Sequence, residues 1–230
     1  VQTLAAVEKN EAFPLVVVCP ASAKLNWAKE TGKWLPHRSF CVLEGATDDA
    51  VLEAAENGRY DADVVIVNYD ILNAHLPELA ARLGERSVVL DESQNIKNRE
   101  AKRSQAALEL ADGAGMRVLL SGTPFMNRPA ELLTQLEAID RLDDLGGFWH
   151  FARRYCAAKT TKYGWDLSGA DNMDELNDRL RSVCYVRREK ADVLAELPDK
   201  RETVVPVRIP AAERKKHERA KSDIVRYTRE

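Results

Sequence analysis

The sequence is poor in the features that most readily declare a chemistry. Its four cysteines, Cys19, Cys41, Cys156 and Cys184, are widely spaced and show no paired metal-ligand spacing. The four histidines form no cluster either. A structural zinc site is therefore not expected, and unpaired thiols suit a reducing compartment. No apolar run approaches membrane-spanning length. A G-x-G-x-x-G is missing, which argues against an ordinary dinucleotide-binding enzyme. There is no internal repeat or low-complexity tract. Charge of one sign is also lacking: the net charge is -3 over 230 residues, with 45% hydrophobic and 31% charged residues. That is the composition of a soluble globular protein, in which any nucleic-acid surface must be a local patch. The length suits one large domain, or one with an insertion. Val1-Gln2-Thr3-Leu4 has neither an initiator methionine nor the pattern of a signal peptide.

What is present is a series of short apolar strands with polar tips. Leu15 to Cys19 ends in Pro20-Ala21-Ser22, and Val64 to Val67 ends in Asn68-Tyr69-Asp70. Val88-Val89-Leu90 ends in Asp91-Glu92, and Arg117 to Leu120 in Ser121-Gly122-Thr123-Pro124. Phe40 to Leu43 is a further candidate strand. Between them lie helical segments: 1–9, a helix after Ser22 as N-cap, 48–57, 76–83, 99–111 and 129–139. Alternating strands and helices predict an α/β fold, a parallel sheet covered on both faces. Right-handed crossovers then bring all the polar tips to one edge. Ligands bind in that crevice.

After Asp140 the texture changes. Phe148 to Trp165 is aromatic and basic, residues 172–183 are helical, and Tyr185 to Lys190 is strongly basic. Thr203 to Val207 suggests a strand, and Ala211 to Glu230 an exposed helix. The expected division is a lobe at 1–140, a small, mainly helical protrusion at 141–186, a return segment at 187–210 and a helix at 211–230.

Taken in order, the strand tips resemble the first RecA-like lobe of superfamily-two helicase-type ATPases, in the Swi/Snf branch. Val17 to Ser22 with Asn26, Trp27 and Trp34 is similar to motif Ia, and Val65 to Asp70 to motif Ib. Val88 to Asn98 is similar to motif II, and Leu119 to Pro124 with Asn127 to motif III. Arg187 to Val193 with Leu197-Pro198 resembles the segment returning from that family's first protrusion. Pro129-Ala130-Glu131-Leu132 suggests the annealing-helicase-like subgroup.

The resemblance covers nearly the whole chain, with two departures. The position usually occupied by histidine at the end of motif II is Gln94, which can still both donate and accept a hydrogen bond. No G-x-x-x-x-G-K-[ST] occurs anywhere. Val1 to Leu4 resembles the residues that come after such a loop, so the sequence reads as a piece of a larger protein, without its second lobe.

The resemblance implies a double-stranded-DNA-dependent ATPase that remodels or anneals nucleic-acid structures, with ATP and Mg2+ as cofactors and the second RecA-like lobe as partner. Asp91 would hold magnesium through a water, and Glu92 would orient or deprotonate the attacking water. Gln94, Ser121, Gly122 and Thr123 would couple the nucleotide to DNA. Ser22, Asn26, Asn68, Tyr69, Lys97, Asn98, Arg187 and Arg188 would contact phosphates, which position DNA without reading its sequence. Ser22 and Asn68 could instead be simple caps. Trp27 and Trp34, at helical spacing, read as core residues. The stretch from Phe148 to Trp165 could face DNA or pack as an ordinary small subdomain; Phe148, Trp149 and Phe151 are expected to pack, with Arg153, Arg154, Arg187 and Arg188 as candidate phosphate or partner contacts. Without the phosphate-cradling loop, a loss of about 3 kcal/mol or more of transition-state stabilisation leaves this stretch nearly inactive by itself. The competing reading is a non-catalytic DNA- or protein-binding platform. The Ala- and Arg-rich, Lys-poor texture points to a GC-rich bacterial source and a cytoplasmic rather than nuclear protein.

Overall fold

A computed structural model of the chain describes residues 1–82, 87–123, 128–162, 164–188, 203 and 211–227. Five parallel strands, β1 (Leu15–Cys19), β2 (Phe40–Val42), β3 (Val64–Asn68), β4 (Ser87–Asp91) and β5 (Met116–Leu120), form one sheet in the order β2-β3-β1-β4-β5. β1 and β3 are buried along their whole length. Strands of this kind, apolar without alternation, need cover on both faces.

The cover is set by the two-residue period of the strands. Val16, Val18, Val65, Val67, Val88 and Leu90 face one core. There they meet Ala54 of α3 (Asp48–Glu56), Leu72, Leu76 and Leu79 of α4 (Tyr69–Arg82) and Leu110 of α5 (Lys102–Ala111). Leu15, Val17, Cys19, Val64, Ile66 and Val89 face the other core, against Leu4 and Val7 of α1 (Gln2–Lys9) and Trp27 of α2 (Lys24–Trp34). Each fully buried leucine contributes about 1.5–3 kcal/mol, so these stripes dominate local stability.

Several boundaries differ from expectation for identifiable reasons. Ser22 is not an N-cap: a 3-10 turn at Ala21–Ala23 intervenes, and α2 starts at Lys24 without a side-chain cap. Helix α4 begins at Tyr69, directly off β3, because the stripe Leu72, Leu76, Leu79 carries it past Pro77. Helix α5 starts at Lys102 rather than Arg99. In contrast, α3 has the expected kind of start, Thr47 accepting from the Ala50 N–H at 3.3 Å with Asp48 and Asp49 in the first turn.

A third core joins the sheet lobe to the helices of the protrusion. Leu133 and Leu136 of α6 (Leu133–Ala138) pack with Phe151 and Tyr155 of α7 (Gly147–Tyr155) and with Leu176 and Leu180 of α8 (Met173–Val183). Ala138 of α6 belongs to the first sheet core. Between α7 and α8 runs a two-stranded antiparallel ribbon, β6 (Lys159–Thr161) with β7 (Gly164–Asp166). Val1–Val186 is accordingly one compact unit. The second unit, Arg187–Glu230, contains α9 (Ala211–Tyr227), exposed over residues 213–221. The strand expected at Thr203 to Val207 lies, beyond Thr203, outside the described residues, as do Asn127 of motif III and most of the 187–210 return segment.

Candidate active site

Parallel register places the strand tips side by side: Cys19 is opposite Asn68, Val18 opposite Leu90, and Asp91 opposite Leu120. The chain leaves β4 through a tight turn at Glu92, which has left-handed backbone angles of φ 50 and ψ 54. That conformation costs a residue other than glycine about 1–2 kcal/mol. Local bonds offset it: the Glu92 N–H donates to Asp91 Oδ1 at 3.0 Å. Asn95 also donates both its backbone N–H and its side-chain amide to the Glu92 carbonyl, each at 2.9 Å.

Asp91 is held from three directions. Trp27 Nε1 donates to its Oδ2 at 2.8 Å, the Glu92 N–H takes its Oδ1, and the Tyr69 hydroxyl donates to its carbonyl at 2.8 Å. Burial, and next the charge of Asp91, push the Tyr69 phenol well above its usual range. The same two causes push the Cys19 thiol up to about 12. Both groups stay protonated beside the acid. A carboxylate offers about four lone-pair sites, so two hydrogen bonds leave Asp91 room to accept from a further water.

Glu92 is exposed and leads into a chain of hydrogen bonds. Gln94 Nε2 donates to Glu92 Oε2 at 2.7 Å, and Gln94 Oε1 accepts from the Ser121 hydroxyl at 2.8 Å. The Thr123 N–H in turn donates to Ser121 Oγ at 3.1 Å. The tip of β4 is thereby tied to the tip of β5 through one glutamine, which uses both its donor and its acceptor. Gly122 lies exposed between the two motif III side chains, and among the described residues nothing beyond its chain neighbours comes within 4 Å of where a Cβ would stand. The turn is anchored from below: Ser93 donates to Gln135 Oε1 of α6 at 2.7 Å, and Lys97 reaches Glu131 at 3.7 Å.

The expected DNA contacts divide. Ser22, Asn26, Lys97 and Asn98 are exposed near the strand tips. Arg187 and Arg188 are exposed at the start of the second unit. Asn68 and Tyr69 are buried, and the Tyr69 hydroxyl is committed to Asp91. Burial thus withdraws both side chains from the surface expected to meet phosphate: Tyr69 holds the acid, and Asn68 donates to Asp70 at 3.4 Å. Trp34, expected in the core, is 47% exposed and donates to Glu30. Trp27 does pack on the second sheet core, but its polar edge is part of the site. Helical spacing could show that it faces inward; only the folded structure reveals that its indole reaches the acid at the tip of β4. Asn95 and Gln135 carried no signal in the sequence at all.

Among the described residues no three His, Cys, Asp or Glu side chains converge as a metal site. Two adjacent carboxylates at a strand tip suit a cation whose remaining ligands come from elsewhere. Magnesium characteristically takes one or two carboxylates and completes its shell with waters and substrate phosphates.

The sequence matches the SNF2-related domain over residues 2–229. The chain belongs to that family. It is 36% identical over 204 residues to the SWI/SNF-related matrix-associated actin-dependent regulator of chromatin subfamily A-like protein 1 of Xenopus tropicalis, covering 89% of this chain and 21% of that protein. Its identity to the DNA annealing helicase and endonuclease ZRANB3 of Homo sapiens is 33% over 213 residues, covering 88% of this chain and 19% of that protein. The SNF2-related chain thus spans about a fifth of the length of these relatives. Among solved structures it is similar to the Sulfolobus solfataricus SWI2/SNF2 ATPase core in complex with dsDNA, with a TM-score of 0.61 and 30% identity. That match covers 84% of this chain and 38% of the other. The parallel sheet with helices is the fold of that core's lobe. The bacterial, cytoplasmic placement expected from composition is corrected: the relatives named are animal proteins, one of them a regulator of chromatin, which is nuclear material. An Ala- and Arg-rich texture reflects codon composition and carries no address.

Proposed function

We propose that this SNF2-related chain is the first lobe of a DNA-dependent ATPase that moves on double-stranded DNA. The observation that carries the reading is the bonded series Glu92, Gln94, Ser121, Thr123. It joins the residue suited to orient a water to the segment suited to sense nucleotide state. A binding platform has no use for such a link, nor for the backbone strain retained at Glu92.

In this reading Asp91 holds magnesium through a water, and the metal supplies charge neutralisation on the nucleotide phosphates. Glu92 orients or deprotonates the attacking water. The phosphate-cradling loop comes from sequence outside this stretch. The edge of the sheet beside the site supports that: β5 ends it among the described residues, and its five apolar or stem-bearing residues are only partly buried. An apolar edge of this kind accepts a further strand. Ser22, Asn26, Lys97, Asn98, Arg187 and Arg188 contact phosphates of the duplex, and a second RecA-like lobe closes the nucleotide site. Residues 1–140 form the sheet lobe, 141–186 its protrusion, 187–210 the return segment and 211–230 the helix toward the second lobe.

The test is ATP hydrolysis by the full-length protein with and without duplex DNA, beside its Glu92→Gln variant. Turnover that DNA stimulates and the variant abolishes supports the motor. No turnover in either condition leaves a binding platform.

A further inference from the structure

The protrusion carries an aromatic surface that its own packing does not use. Helix α7 buries Phe151, Ala152 and Tyr155, with Phe151 and Tyr155 in the third core, which completes the attachment of the helix. Phe148 and Trp149 in its first turn remain 42% and 47% exposed, and Trp165 of β7 is 48% exposed. The core positions expected for Phe148 and Trp149 are thus corrected: the core grips α7 from Phe151 onward, and the first turn stands outside it. The three rings gather into one patch. Phe148 and Trp149 have centroids 5.1 Å apart with planes at 86°, and Trp149 and Trp165 are 5.0 Å apart with planes at 59°. In these tilted contacts an edge of one ring meets a face of its neighbour, and about half of each ring's surface stays exposed. Contiguous exposed aromatic surface is unusual on a soluble protein and marks an interaction site.

The charge around the patch identifies the partner's chemistry. Arg153, one turn along α7 from Trp149, lies with its guanidinium carbon 6.0 Å from the Trp149 ring centre. From Gly147 to Asp166 there are four basic side chains and one acid; Arg154 pairs with Glu175 and Lys159 lies opposite Asp166 in the ribbon, while Arg153 stands beside the rings. Lys159 and Lys162 of the ribbon are exposed. The one acid, Asp166, is drawn into its own turn, accepting from the Ser168 N–H at 2.9 Å. Half-exposed rings beside cations are what unpaired nucleotides take: bases stack on the exposed ring surface and phosphates meet the cations. A duplex hides its base faces inside its own stack and can use only the cations.

We infer that Phe148, Trp149 and Trp165, with Arg153 beside them, form a stacking site for single-stranded nucleic acid. The site is separate from the strand-tip acids and stands whether or not the motor reading holds. The test uses the full-length protein, a fluorescein-labelled oligothymidine, and a duplex of equal length. Binding of the oligothymidine should quench tryptophan fluorescence. The paired variant Trp149→Ala, Trp165→Ala should weaken that binding about tenfold, as loss of one or two stacked bases does, and leave duplex affinity unchanged. Both side chains are half exposed, and an unchanged melting temperature confirms folding; Arg153→Glu, outside every core cluster, should weaken oligothymidine binding in the same direction. Equal loss on single strand and duplex, or no loss in either variant, overturns the proposal. So does a polyglutamate peptide that competes as well as the oligothymidine, because the patch would then be a general anion or protein surface.

Discussion

The indole of Trp27 donates to Asp91 Oδ2 across 2.8 Å, joining the helix after β1 to the acid at the tip of β4. With the Glu92 N–H on Oδ1, this fixes the plane of the carboxylate before any cation arrives. In the motor reading, such preorganisation removes a reorientation cost from metal and nucleotide binding. Trp27→Phe keeps the packing on the sheet and deletes only the donor. A hydrogen bond to a charged acceptor contributes about 1.5–3 kcal/mol, so turnover of the full-length protein at low Mg2+ should fall about 10- to 100-fold. Excess Mg2+ should recover part of it. A purely structural role would shift the melting temperature and leave the Mg2+ dependence alone. A second readout needs no activity: the Trp27 indole proton resonance should move in Asp91→Asn. Unchanged Mg2+ dependence and an unmoved resonance would sink this role.

A buried histidine gives the lobe a pH dependence of its own. His75 Nε2 faces the Gly45 carbonyl at 3.0 Å, and a carbonyl can only accept, so the proton of the neutral ring sits there. Nδ1 then accepts from the Tyr60 hydroxyl at 2.6 Å. Burial holds the imidazole below its ordinary value. A base with a lowered folded pKa binds fewer protons folded than unfolded, so stability rises with pH. The contribution is complete above about pH 6.5 and is lost as pH falls from there through the folded value. The other three histidines are exposed. Glu8, held low by Arg38 and His37, and Asp63, held low by Ser39, titrate in the more acidic range. Urea midpoints should therefore decline between pH 7 and pH 5, and Tyr60→Phe, which strips the acceptor nitrogen of its donor, should lower the midpoint at neutral pH. Flat midpoints across that window would contradict this assignment.

The sheet and its acidic tip were legible in the sequence because strands buried on both faces leave a continuous apolar signature that stops at the functional edge. Asp91, Glu92, Ser121 and Thr123 come together from that pattern alone, and the structure bonds Glu92 to Ser121 through Gln94 and Ser121 in turn to the Thr123 N–H. What the pattern could not carry was side-chain direction. Trp27 and Trp34 have similar spacing relative to the helix, yet one edge reaches Asp91 and the other reaches Glu30 in solvent. Tyr69 reads as a polar tip but folds inward, because α4 begins at that residue and turns its ring under β4. In α7, aromatic content favoured packing for Phe148 and Trp149 as well as Phe151, whereas a helix presents only one stripe to its core.

Gln94 offers the sharpest test of coupling between the two strand tips. Its amide donates to Glu92 and accepts from Ser121, so replacing it affects both partners together. Gln94→Met preserves length while removing both bonds; duplex stimulation of hydrolysis in the full-length protein should drop about tenfold, or about 1.4 kcal/mol, with basal turnover less affected. Gln94→Glu should do worse, since its carboxylate would face Glu92 across a hydrogen-bond distance with no proton between them. Gln94→His should retain much of the stimulation, because an imidazole can also donate from one nitrogen and accept at the other. Ser121→Ala removes only the far half of the link. If the chain of bonds transmits nucleotide state, the double variant Gln94→Met, Ser121→Ala should be no worse than Gln94→Met alone, the non-additivity expected of two residues acting through one contact. Independent, additive losses would mean that Glu92 and Ser121 serve the reaction separately and that the glutamine merely fills the space between them.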